Sequence, residues 1–242
     1  MTGATSSASP ATRTASVVRS LLVRGMLAGA VAGLLAFAFA RVFGEPQVQH
    51  AIDFEHAHDP ELVSRGLQRS LGLLTATVLL GVALGGMFSL VFSWAHGRVG
   101  AFRPRATAAL LAGAAYLTIV VVPFTKYPAN PPSIGNPDTI GRRTLAYVAM
   151  IAISLLAAVA AARIRRELLG RLGGWNAGLV AAGAFVAVVA VAELILPVVH
   201  ETPAGFPADV LYRFRVASLG TSLTLWAALG LGFGMASERL LA

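Results

Sequence analysis

Four of the five histidines, His50, His56, His58 and His200, lie near carboxylates in polar stretches between apolar runs. The stretch from residue 44 reads GEPQVQHAIDFEHAHDPELVSRG and interleaves three of them with Glu45, Asp53, Glu55, Asp59 and Glu61. Imidazole together with carboxylate suits borderline divalent cations such as cobalt, nickel and zinc. The spacing matches no known cage, and a solvated polar loop is the competing reading. Glu193 is the single acid inside an apolar run. A charge at membrane depth is costly, so its default reading is functional. Pro197 follows it at i+4 and His200 at i+7, so a continuing helix would set Glu193 and His200 on one face. The competing reading is a glutamate that reaches the interface, about two turns from the end of its run. The expected metal-handling set is therefore His50, Glu55, His56, His58, Glu193, His200 and Glu201.

A second pattern recurs three times: Pro60-Glu61-x-x-x-Arg65, Pro137-Asp138-x-x-x-Arg142 and Pro207-x-Asp209-x-x-x-Arg213. Each precedes an apolar run and reads as a helix start. Proline is tolerated at the first turn, the acid complements the positive helix end, and arginine follows at i+4. The pairs Glu61–Arg65, Asp138–Arg142 and Asp209–Arg213 are expected to be structural. The middle copy belongs to PFTKYPANPPSIGNPDTIGRRT, residues 123–144, which holds five of the twelve prolines and the chain's lysine, Lys126.

The elements that must position these residues follow from composition. The 242 residues are 56% hydrophobic and only 12% charged, with a mean hydropathy of +0.73. A water-soluble surface needs about a quarter of residues charged, so the expected class is an all-α, polytopic membrane bundle. Six apolar runs are legible: about Leu21 to Phe43, Leu71 to Trp94, Ala106 to Phe124, Thr144 to Ala162, Asn176 to Val199 and Val216 to Ala236. Each has the roughly 20 residues needed to cross a hydrocarbon core. Residues 1–20, rich in Ser, Thr and Ala, are expected to be a disordered cytoplasmic tail, leaving 21–242 as the membrane domain. Gly25, Gly29 and Gly33 form a small-residue stripe suited to close packing in lipid. A cleaved leader is the rival reading of this first run, and the stripe favours a retained helix.

The net charge of +8 and pI near 11.2 do not point to nucleic acid, because the arginines sit in short loops between apolar runs. With six spans, one side collects Arg13, Arg19, Arg24, Arg98, Arg103, Arg105, Arg163, Arg165, Arg166, Arg171 and Arg239 against Glu167 and Glu238. The loops 44–70, 125–143 and 200–215 on the other side balance bases with acids. The positive-inside rule then places both termini in the cytoplasm. The three helix starts fall together at the outer surface, which suggests three outward-pointing hairpins; capping chemistry alone would also make helix starts alike. With no cysteine, disulfides and thiolate chemistry are excluded. No Gly-Lys pair builds a phosphate-binding loop, Ala204 stands where a zinc-protease helix after His200-Glu201 needs its second histidine, and there is no Gly-x-Ser-x-Gly. An enzyme is not expected.

Four blocks resemble the CbtA family, predicted cobalt transporter subunits of bacterial membranes: FGEP (43–46), LVSRGLQRSLGLLTATVLLGVALGG (62–86), PFTKYPANPPSIGNPDTIGRRT (123–144) and FPADVLYRFRVASLGT (206–221). The resemblance covers about residues 20 to 236. It implies cobalt (or nickel) as transported ion, with no resident cofactor, in the bacterial inner membrane. It also implies a small single-span, histidine-bearing CbtB-like subunit as partner, and leaves room for a homo-oligomer. The family is usually described with five spans, against six counted here. It supplies no ligand residues to carry over, so the metal set above stands on the residues alone. The alternative function is a metal-binding scaffold or sensor subunit that moves nothing itself.

Overall fold

The structure, a computed structural model, describes residues 10–55, 64–132, 134–135, 137–199, 201–203 and 205–241. Among them, all regular structure is helical. Helix α1 (Pro10–Phe39) runs through a π-helical segment, Ala40–Gly44, into α2 (Glu45–Glu55). The short α3 (Arg65–Leu67) passes through a second π segment, Gln68–Gly72, into α4 (Leu73–Ala95). Helix α5 (Pro104–Ala115) continues through a third, Tyr116–Val121, into α6 (Val122–Lys126). A 3-10 turn, Pro137–Thr139, opens α7 (Ile140–Ile195), and α8 (Ala208–Leu241) completes the order. Five continuous helical stretches are long and apolar enough to cross a membrane: Ala15–Phe54, Arg65–Ala95, Pro104–Lys126, Ile140–Ile195 and Ala208–Leu241.

Such sequences become helices because lipid offers no partner for backbone N–H and C=O groups, and a helix satisfies them internally. Their large apolar side chains point outward: Leu145, Leu156 and Leu194 are 71%, 70% and 85% exposed, as suits a hydrocarbon surround. Helical structure also extends past the expected limits. It begins at Pro10, inside the stretch expected to lack order, and α2 occupies residues 45–55 of the expected first outer loop. Residues 163–172, expected as a loop, are helical too. The segment Arg-Ile-Arg-Arg-Glu-Leu-Leu has strong helix formers and no proline, so nothing local ends the helix there.

Helix α7 has 56 residues, which would extend about 84 Å if straight. It is not straight. Gly173 has φ +72° and ψ 169°, a conformation that glycine adopts without a Cβ penalty. Met150, 23 residues before it, and Ala192, 19 after it, are buried against Val122 in the same cluster. Only a chain that doubles back at Gly173 can bring those two residues together. The arms 140–172 and 174–195 are thus antiparallel, and they carry the fourth and fifth apolar runs.

The chain divides into two compact units. The first takes its described residues from 10–38, 64–113 and 224–241. Here the glycine stripe finds its partner. A methyl built on Gly29 would lie 2.0 Å from the Gly81 carbonyl oxygen, and one on Gly81 would lie 2.2 Å from that of Gly29. Gly25 and Gly85 oppose each other in the same way, at 2.4 and 2.1 Å. Helices α1 and α4 therefore touch backbone to backbone, which maximises dispersion contact where lipid removes the hydrophobic drive between helices. The fully buried Phe92 and Phe233 pack edge to face at 5.0 Å, and Phe88 joins Phe233 at 5.5 Å. Arg24 donates to the Ala236 carbonyl at 2.7 Å, and Arg105 pairs with Glu238. His96 stacks on Phe92, with Nδ1 3.3 Å from the Thr107 hydroxyl.

The glycine seam generates a stability prediction. Gly29→Leu or Gly81→Leu forces α1 and α4 apart and should cost about 2 kcal/mol or more by overpacking, lowering the unfolding temperature in detergent. Gly113→Ala, where an added Cβ meets open space, is the control and should be near neutral. Equal melting temperatures for the Leu and Ala variants would remove the seam from the account.

Candidate functional site

The second unit takes its described residues from 39–55 and 114–223 and contains the candidate site. Its centre is the cluster of Val122, Met150 and Ala192, against which Tyr127, Ile153, Phe185, Val189 and Leu196 pack. The π segment Tyr116–Val121 widens the helix just before this cluster, and a π turn takes a carbonyl out of the regular ladder. Ser154 on the first arm of α7 shares its one hydroxyl hydrogen between the carbonyl of Thr118 in that segment and that of Ile151, 2.9 Å away. Tyr116 donates to the carbonyl of Leu219 on α8 at 3.3 Å. Polar groups of three helices are thereby satisfied.

Glu193 sits on the second arm of α7, half-buried, beside the outward Leu194. The hydroxyl of Thr125 lies 2.6 Å from Glu193 Oε1 and 2.6 Å from the Val122 carbonyl oxygen. The one hydroxyl hydrogen of Thr125 thus has two acceptors in reach, the carboxylate and the carbonyl of its own helix. Lys126 donates to the backbone carbonyl of Glu193, and Tyr127 donates to that of Pro197 at 2.8 Å. Burial, and secondarily the Glu193 carboxylate, pushes the Tyr127 phenol above its ordinary value of 10.0.

A few residues along the chain, Glu201 Oε2 pairs with Arg143 Nη1 at 3.1 Å, and Thr139 donates to Oε1. Arg215 on α8 holds the central loop, donating to the Ala129 carbonyl at 3.3 Å and to Asn130 Oδ1 at 3.0 Å. These groups surround a cavity of about 560 Å3 lined by, among others, Lys126, Tyr127, Asn130, Arg143, Thr144, Tyr147, Glu201 and Arg215.

Of the expected metal-handling residues, Glu193 and Glu201 each meet a partner from another element, but different ones. His50 is exposed on α2, where Gln49 donates to Asp53 at 2.9 Å. Glu55 is the last residue of α2, and His56, His58, Glu61 and His200 lie outside the described residues. Among the described residues, no three His, Asp or Glu side chains come together as a metal site. The shared helix face of Glu193 and His200 does not form. Helix α7 stops at Ile195, and Leu196 is extended with ψ 148°, as the residue before a proline prefers.

Two of the three helix starts are as read: Asp138 lies in the 3-10 turn that opens α7, and Asp209 lies in the first turn of α8. Asp138, Arg142, Asp209 and Arg213 are all exposed. Of the remaining one, Pro60 and Glu61 lie outside the described residues; α3 begins at Arg65, whose Nη1 donates to Gln68 at 2.9 Å. The residues that sequence reasoning passed over are Thr125, Tyr127, Thr139 and the ion-pair role of Arg143. Their signal was the central proline-rich stretch with its lysine, which supplies all four.

Helical stretches of membrane-crossing length with a carboxylate held among them define a multi-pass membrane protein. A model of the family described as "Probable cobalt transporter subunit (CbtA)" matches residues 18–238. The chain belongs to this CbtA family. No curated protein and no solved structure matches it significantly.

The Glu201 contacts give a prediction testable by a double-mutant cycle. Glu201→Ala leaves the partly buried Arg143 without its carboxylate and should cost about 1–3 kcal/mol. In Arg143→Ala/Glu201→Ala the two losses should fall short of additive by about 1 kcal/mol. Thermal unfolding in detergent reads this, and strict additivity would contradict the pairing.

Proposed function

We propose that this chain is the permease subunit through which a divalent transition metal, cobalt foremost, enters the cell. The observation that carries the reading is Glu193, a half-buried carboxylate within an apolar helix, held by the Thr125 hydroxyl of a different helix. Hard oxygen donors in that arrangement can replace part of a cation's hydration shell, and an ionisable group at membrane depth is functional by default. Capture falls to the outer segment 44–70 with His50, Glu55, His56 and His58, and to His200. Glu201, engaged by Arg143 and Thr139, shapes the mouth.

The chain crosses the bacterial inner membrane six times as three outward-pointing hairpins, with both termini cytoplasmic. The folding back of α7 supports this count, because its arms of about 50 and 33 Å are each long enough to cross a core of about 30 Å. The arginine-rich segments 95–105 and 163–175 support the orientation. A small CbtB-like subunit is the expected partner. No nucleotide is needed, since a divalent cation moving inward gains about 2.3 kcal/mol per charge per 100 mV, or roughly 4.6 kcal/mol. That corresponds to about three orders of magnitude of accumulation.

Glu193→Gln keeps the side-chain shape and its place beside Thr125 but removes the charge. Uptake of radiolabelled cobalt should fall by about tenfold or more at equal protein level. Full uptake by this variant would exclude the path past Glu193.

A further inference from the structure

The cavity beside this path has the wrong charge for a bare cation. Among the described residues, its wall carries Lys126, Arg143 and Arg215 against one carboxylate, Glu201, which already pairs with Arg143. The hydrogen bonds of Lys126 and Arg215 go to neutral oxygens: the Glu193 carbonyl, the Ala129 carbonyl and the Asn130 amide. Those bonds orient the two cations without cancelling their charge. The Glu193 carboxylate itself is not among the lining groups and accepts from Thr125. Thr144 and Tyr147 add hydroxyls to the wall. A volume of about 560 Å3 is that of a small-molecule site.

We propose that this cavity binds a small oxyanion carrying more than one negative charge, a di- or tricarboxylate or a phosphate. Guanidinium groups take carboxylate and phosphate oxygens bidentately, and the lysine adds a point charge from the end of α6. The inference goes beyond cobalt passage and does not depend on it, because it is a statement about equilibrium binding. The phosphate could come from solution or from the headgroup of an anionic lipid, so the test must separate those sources.

The full chain, reconstituted in nanodiscs of purely zwitterionic lipid, would be titrated with citrate, with inorganic phosphate and with cobalt chloride. Thermal shift and calorimetry would be read at matched ionic strength. Citrate or phosphate should stabilise the protein above a chloride control, and Lys126→Gln and Arg215→Gln should each weaken the binding by about tenfold. Arg215→Lys keeps the charge but loses the planar fork, so it should bind less tightly than the parent and more tightly than Arg215→Gln, which separates the charge from the mere loss of the Ala129 and Asn130 bonds. Repeating the titration in phosphatidylglycerol nanodiscs distinguishes the sources: abolished citrate binding assigns the site to a lipid phosphate, and unchanged binding assigns it to a soluble anion. The proposal is overturned if neither anion exceeds chloride in zwitterionic nanodiscs. It is equally overturned if both Gln variants bind as tightly as the parent, or if cobalt alone stabilises more than either anion and loses that effect in the Gln variants.

Discussion

The reversal at Gly173 decides what the second unit can be. Without it, the carboxylates of Glu193 and Glu201 would lie tens of ångströms from Thr125 and Arg143. With it, a 56-residue helix becomes two antiparallel arms, and residues of the stretch 123–144 meet the end of the second arm and the segment that follows it. Thr125 and Lys126 reach Glu193, Tyr127 reaches Pro197, and Thr139 and Arg143 reach Glu201. The turn depends on Gly173, a residue without a Cβ that can take a φ of +72°.

In the first unit, α1 and α4 meet through opposed glycines, because lipid gives apolar side chains no reason to prefer one another and close backbone approach is what remains. The second unit is held instead by polar ties between elements far apart in sequence. Such ties are strong where water is excluded, and they fix charged groups in place: the Glu193 carboxylate on Thr125, and a cation-rich cavity walled by Lys126, Arg143 and Arg215. A cation path and an anion basin would then share one loop, the proline-rich stretch 123–144.

Much of this was legible in the sequence because it is written in local or periodic terms. Apolar runs announced the membrane helices, the four-residue glycine spacing announced the α1 seam, and Pro137-Asp138 and Pro207-x-Asp209 marked real helix starts. Family membership was legible in the unusual central block. What escaped was non-local. Glu201 with Arg143 spans 58 positions, and nothing in either neighbourhood names the other. The end of α7 at Ile195 was visible in Pro197, yet the i+7 spacing of His200 was read through it. Helix in 45–55 and 163–172 was hidden by charge, which resembles a loop when helix propensity is left unweighed.

The central claim is that this chain itself forms the metal's path. The most direct measurement is radiolabelled cobalt flux into proteoliposomes containing the purified chain alone, at an imposed inside-negative potential. The account predicts potential-dependent accumulation that nickel and zinc compete only weakly and that the Glu193→Gln variant largely loses. Flux that never rises above protein-free liposomes, in the presence or absence of a small single-span partner, would contradict it and leave the chain a metal-binding scaffold.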